Sequence, residues 1–227
     1  MWIETDVHDV WLCPEVIFYC LPIRAKKVTG NGEIMRNQKV VIMIEIALLA
    51  ALGFVLDRVG FGMPQGGSVT FVLVPIILIA FRRGVIAGIV TGLLIGLLQL
   101  ATGNVYFAPL SFEIVIIQVF MDYFLAFMVA GFAGLFRPAF VRAYEQRRQG
   151  AMMRAVLFGT ILAAVLRYFV HVLSGIFFFG EFAGDQNVVL YSLVYNATYM
   201  SLVLLFAAVI CTLLFVKAPR LVIPQSA

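Results

Sequence analysis

The chain has 227 residues, 63% of them hydrophobic and only 12% charged, with a mean hydropathy of +1.04. Soluble domains run nearer half apolar and a quarter charged. That composition excludes a soluble enzyme, a disordered tail and a secreted disulfide scaffold. It leaves a polytopic helical membrane protein, because barrel strands alternate apolar and polar residues and give a weaker hydrophobic signal. The net charge of +4 does not point to nucleic acid, since the cations sit between apolar runs. Cys13, Cys20 and Cys211 are too few and too scattered for a disulfide framework or a metal site.

Residues 1–34 (MWIETDVHDVWLCPEVIFYCLPIRAKKVTGNGEI) differ in character from the rest of the chain. Pro14, Glu15 and Pro22 interrupt the apolar stretch Val10–Ile23. The segment lacks the basic, apolar and small-residue order of a signal peptide. Met35-Arg-Asn-Gln-Lys then opens like a natural start, a short basic flank before a membrane helix. The codons for Gly32-Glu33-Ile34 can hold a bacterial ribosome-binding sequence just before Met35. The expected organisation is an extension at 1–34, disordered or a mis-assigned leader, a membrane domain at 35–220 and a tail at 221–227.

The membrane domain has six apolar runs: Val40–Leu56, Val69–Phe81, Val85–Ala101, Ile114–Phe136, Ala155–Phe179 and Val188–Val216. A bilayer core takes about 20 apolar residues, so the second run is short for a full crossing, and it contains Pro75. Six transmembrane helices place Arg36, Lys39, Arg82, Arg83, the cluster from Arg137 to Arg154, Lys217 and Arg220 on one side. The other side has Arg58 with Asp57, Glu113, Glu181 and Asp185. The positive-inside rule then puts both termini in the cytoplasm. The stretch RPAFVRAYEQRRQG reads as the widest cytoplasmic loop, solvated near anionic lipid.

Ionisable groups inside spans are costly and mark function by default. Here they are Glu45 in helix one, Asp122 in helix four, and Arg167 and His171 in helix five. Arg167 and His171 are spaced i,i+4 and share one face. Asp122 lies about nine residues into helix four, roughly 13 Å at the helical rise. His171 sits eight residues below the outer end of helix five, and Tyr191 and Asn196 occupy the first turns of helix six. These groups converge on the outer half of the membrane and describe a pocket open to the outside. One carboxylate, an imidazole, an amide, phenols and Phe177-Phe178-Phe179 suit a small, cationic aromatic ligand, held by counter-charge, cation–π attraction and directional hydrogen bonds. Arg167, one turn deeper, is placed to pair with Asp122 or Glu45.

Ala47 and Ala51 form a small-xxx-small pair, which admits another helix closely. Gly84, Gly88, Gly92 and Gly96 repeat every four residues along helix three and suit packing within the bundle. No GxxxxGK[ST] or HExxH segment occurs, so neither nucleotide nor zinc chemistry is expected. Ser174-Gly175 beside His171 lacks the context of an intramembrane protease.

From Met35 to about Pro219 the chain resembles the thiamine-specific S component, the substrate-binding subunit, of energy-coupling factor (ECF) vitamin transporters. The residues that carry the resemblance are EIALLAALGFVLD, VPIILIAFRRG, TGNVYF, MDYFLAF, LRYFVHVLSGIFFFGEFA and LYSLVYNATYM. The resemblance implies an all-α fold of six transmembrane helices in the bacterial plasma membrane. It implies a transport subunit rather than an enzyme, without a cofactor, binding thiamine near the outer face. The ligand-binding residues it implies are Tyr106, Asp122, Tyr123, Arg167, His171, Phe179, Tyr191 and Asn196. Asp122 would balance the cation, His171 and Phe179 wall the rings, and Tyr191 and Asn196 bond the aminopyrimidine. Ala47 and Ala51 look like the docking motif for the transmembrane coupling subunit, which works with two ATPase subunits. Two tryptophans expected in the family are absent, one replaced by Phe179 and one missing from GFGMPQGGSV. They leave open a related ligand, such as a thiamine precursor or another cationic heterocycle. A stand-alone membrane enzyme or secondary transporter is the reading from a different class.

Overall fold

A computed structural model describes residues 31–64 and 66–223, with side chains from 38 onward. The bulk of the expected N-terminal extension, residues 1–30, lies outside the described residues, and residues 31–34 begin the first helix. Six helices form the bundle: α1 (Asn31–Arg58), α2 (Leu73–Arg83), α3 (Val85–Ala101), α4 (Phe112–Glu145), α5 (Gln149–Phe178) and α6 (Val188–Lys217). Among the described residues, the helical stretches Gln38–Arg58, Phe112–Glu145, Gln149–Phe178 and Val188–Lys217 are long and apolar enough to cross a membrane. The helix α3 is apolar apart from Thr91 and Gln99 but has 17 residues.

The second predicted span needs correction. Val69 and Thr70 belong to a short strand, β2 (Ser68–Thr70), which pairs antiparallel with β1 (Gly60–Gly62). The helix α2 then has eleven residues, about 16 Å of rise, half a bilayer core. It tolerates this because it is the bundle's central element: Leu73, Ile76, Ile77, Ile79, Ala80 and Phe81 are fully buried. Pro75 falls in its first turn, where the backbone N–H has no intrahelical partner to lose.

The expected basic loop after helix four also needs correction. Residues Arg137–Glu145 continue as helix, started by Pro138 in the first turn and anchored by buried Phe140 and Ala143. Only Gln146–Arg148 turn, with Arg147 at φ 55°, before α5 begins at Gln149. The charged residues share this stretch with an apolar stripe, so hydropathy alone hides the helix.

The helix α4 is irregular where it meets the rest of the bundle. A regular stretch, Phe112–Val119, gives way to a π-helical turn at Phe120–Leu125 and a 3₁₀ stretch at Val129–Phe136. The glycines of α3 pack against this helix, in keeping with their four-residue spacing. A Cβ on Gly88 would meet Gly131, one on Gly92 the Phe127 carbonyl, and one on Gly96 the Tyr123 carbonyl.

Contacts fix which ends lie together. At one end Glu45 bridges Arg82 at 2.8 Å and Arg83 at 2.6 Å. Arg82 also donates to the carbonyls of Arg220 and Leu221, and Arg137 donates to the Arg82 carbonyl. Glu45 is therefore part of a basic end and is not a partner of Arg167, contrary to one of the two pairings expected. Val222, placed by sequence in a C-terminal tail, is 1% exposed and packs into the core. The opposite end of the bundle carries the β1–β2 hairpin and the segment joining α3 to α4.

Candidate functional site

A cavity of about 570 Å³ opens at the hairpin end of the bundle, within the usual range for small-molecule sites. Every residue singled out by sequence as ligand-binding lines it: Tyr106, Asp122, Tyr123, Arg167, His171, Phe179, Tyr191 and Asn196. They come from α4, α5, α6 and the segments beside them.

The chemistry centres on Asp122, carried by the π-helical turn. Its Oδ1 lies 3.2 Å from His171 Nδ1. Its Oδ2 accepts from the Ser174 hydroxyl at 2.8 Å and from Gln118 Nε2 at 3.1 Å. Arg167 Nε donates to His171 Nε2 at 3.3 Å. A guanidinium has only donors, so Nε2 must accept and the proton sits on Nδ1, pointing at Asp122. The result is a row, Arg167–His171–Asp122, with a neutral imidazole between a cation and an anion. Arg167 does not bond Asp122 directly, which corrects the other expected pairing. It is 4% exposed, and its guanidinium lies 4.6 Å from the Phe127 ring centroid.

Tyr191 and Asn196 both line the cavity and differ in their hydrogen bonding within the protein. The Asn196 amide is engaged within the protein: Nδ2 donates to the Ser192 carbonyl at 2.8 Å and Oδ1 accepts from Tyr199 at 2.7 Å. The Tyr191 hydroxyl is buried without a partner among the described residues, as are Arg167 Nη1 and Gln99 Oε1. Orphaned buried polar atoms are uncommon and costly, and all three belong to cavity-lining residues.

Aromatic rings form the wall nearest the mouth. Phe179 stacks between Tyr106, at 6.0 Å and 30°, and Phe182, at 6.2 Å and 27°. The Tyr123 hydroxyl accepts from the Tyr106 backbone N–H at 2.6 Å, which ties the α3–α4 segment to α4. Across the cavity Tyr191 stacks on Tyr195 at 5.8 Å, and Tyr199 meets the His171 ring edge-on at 6.2 Å. Phe177 points away and is 69% exposed.

The hairpin closes one side. Tyr195 donates to the Gly66 carbonyl at 2.9 Å. Gly67, at φ 80°, lies against the Tyr199 ring, and a Cβ there would stand 2.8 Å from it. Only glycine supplies both that backbone angle and that clearance.

Several cavity residues were not anticipated. Asp57 accepts from Thr70 at 3.2 Å and from Gln99 Nε2. Gln118, Ser174, Ser192, Tyr195 and Tyr199 join it in the lining. Gln118 was detectable as an amide four residues before Asp122 on an apolar helix.

The matched region settles the family. Residues 43–223 match the family described as thiamine transporter protein (Thia_YuaJ). The chain belongs to the thiamine transporter family. It is 42% identical over 190 residues to the thiamine transporter ThiT of Bacillus subtilis, covering 82% of this chain and 96% of the relative. It is 26% identical over 200 residues to the thiamine transporter ThiT of Lacticaseibacillus paracasei, covering 84% and 94%. Among solved structures, ThiT from Listeria monocytogenes superposes with a TM-score of 0.75 at 28% identity, over 82% of this chain and 100% of that one. The all-helical membrane fold of this thiamine transporter family member is thus shared with a solved relative.

Proposed function

We propose that this chain is the thiamine-binding membrane subunit of an ECF-type vitamin importer, capturing thiamine in the cavity at its hairpin end. The observation that carries the proposal is that cavity, of about 570 Å³ and lined by a carboxylate–imidazole pair and stacked rings, within a thiamine transporter fold. Asp122 faces the cationic thiazolium and fixes His171. His171 and Phe179 flank the rings. Tyr191, with its free hydroxyl, bonds the ligand directly. Asn196 shapes the wall by holding Ser192 and Tyr199, and Arg167 fixes the imidazole from below. Tyr123 and Tyr106 hold the mouth.

The basic end belongs in the cytoplasm by the positive-inside rule, so both termini lie inside and the cavity opens outward, in a bacterial cell membrane. ATP hydrolysis falls to partner subunits, two ATPases joined through a transmembrane coupling subunit. Ala47 and Ala51 are exposed on α1, while Ala50 and Gly53 turn inward, which supports the alanine pair as a docking face. Protein isolated from its native membrane is expected to bring the coupling subunit and ATPases with it, and thiamine uptake should require ATP. Uptake by the chain alone, driven by an ion gradient, would contradict the proposal.

Phe179→Trp offers a check on the aromatic wall. Trp is the strongest cation–π partner, and a whole contact of this kind is worth about 0.5–1 kcal/mol where exposed and about 2 kcal/mol where desolvated. Thiamine affinity is expected to rise about two- to five-fold by calorimetry. Unchanged or weaker binding would remove Phe179 from contact with the charged ring.

A further inference from the structure

The cavity holds a second carboxylate besides Asp122. Asp57 lies in the last turn of α1, and its two oxygens are oriented from two other elements: Oδ1 by the Thr70 hydroxyl of β2, Oδ2 by Gln99 Nε2 of α3. Gln99 is 2% and Thr70 3% exposed, whereas Asp57 is half-buried and lines the cavity. A carboxylate with two fixed donors retains acceptor capacity toward the cavity. Asp122, by contrast, already accepts from His171, Ser174 and Gln118.

The charge balance inside is unequal. Asp57 and Asp122 face one guanidinium, Arg167, and the His171 imidazole is neutral because its Nε2 accepts from Arg167. Arg58 also borders the cavity but is exposed, donates to Thr102 and lies 4.9 Å from the Phe54 ring centroid. Water screens it far more than it screens the enclosed groups. One guanidinium cannot neutralise two carboxylates, so a cation is drawn in.

We propose that Asp57, oriented by Gln99 and Thr70, is a second anionic subsite that selects a cationic ligand over its neutral isostere. Resting on thiamine as the ligand, the subsite reads the charged thiazolium from the hairpin side while Asp122 reads it from α4. Asp57 is then a specificity-determining residue and not merely a counter-ion for Arg167.

The test measures two ligands by calorimetry on the full chain in detergent. One is thiamine. The other is its neutral thiophene isostere, in which carbon replaces the charged ring nitrogen. Wild-type protein should prefer thiamine, and Asp57→Asn should narrow that preference by about tenfold, the size expected from a nearby charge in a partly shielded site. A purely structural carboxylate would weaken both ligands equally, and an unchanged preference would overturn the inference. Should Asp57→Asn fail to fold, Asp57→Ser keeps a small polar group between Thr70 and Gln99 and carries the same expectation. Wild-type protein that fails to bind thiamine at all would sink the functional reading instead. Wild-type binding with an unchanged preference in the variant sinks only the subsite.

Discussion

Replacing Asp122 with asparagine is expected to raise the thiamine Kd about a hundred-fold, equivalent to about 2.7 kcal/mol. Three donors converge on the carboxylate, from His171, Ser174 and Gln118. An asparagine offers one acceptor oxygen and turns two N–H groups toward them. Ser174 can rotate its hydroxyl, whereas the Gln118 amide is held by the Tyr106 carbonyl on Nε2 and the Ala108 N–H on Oε1. His171 has no such freedom, because Arg167 Nε–H occupies its other nitrogen. The ring must then tilt, and the wall flanking the ligand moves with it. The loss of charge adds to the loss of position, as removal of one partner from a buried charge pair usually costs about 2–5 kcal/mol. Asp122→Glu keeps the charge and should recover much of the affinity. Equal loss in both variants would show that geometry alone matters. Calorimetry on the two proteins, with melting curves to confirm folding, decides between them.

Gly96→Val is expected to be the most damaging substitution in the bundle. A Cβ at Gly96 would overlap the Tyr123 carbonyl oxygen, and its next neighbour, the Tyr123 carbonyl carbon, stands at 2.9 Å. Backbone atoms cannot rotate aside, so α3 and α4 must separate. Overpacking of this kind costs about 1–3 kcal/mol, more when backbone is displaced, and about 3 kcal/mol is expected here. The displaced turn carries Asp122 and Tyr123, so thiamine binding should weaken together with the melting temperature. Gly150→Ala is the control: nothing stands within 4 Å of a Cβ there, and its effect should stay within about 0.5 kcal/mol. Thermal melts of both variants in the same detergent would show the contrast. A Gly96→Val protein that melts like the wild type would refute the close packing of α3 on α4.

How much was legible in the sequence depended on what set each feature. The bilayer dictates apolar length, so α3 emerged with its bounds at Val85 and Ala101. Hydropathy marks where apolar residues stop, not where helices stop. It therefore began helix five at Ala155, although the helix runs from Gln149, and it missed the helix from Arg137 to Glu145. Three-residue strands leave too little alternation to detect, so β1 went unread and Val69 and Thr70 of β2 fell into the second span. The ionisable groups inside spans stood out because they are expensive there, and Asp122, Arg167 and His171 were found on that ground. Their pairing was not legible. Spacing showed that Arg167 and His171 share a face, but only packing shows that the imidazole stands between Arg167 and Asp122. Asp57 escaped for a related reason. It sits at the end of a span, where a charge is cheap, and its partner Gln99 lies 42 residues away.

The cavity at the hairpin end is proposed as the thiamine site. Calorimetric titration of the purified full-length protein with thiamine tests this most directly. Saturable binding at one site per chain, about a hundred-fold weaker in Asp122→Asn and weakened for the neutral thiophene isostere, is the predicted result. No saturable heat with thiamine, alongside binding of a different vitamin, would contradict it.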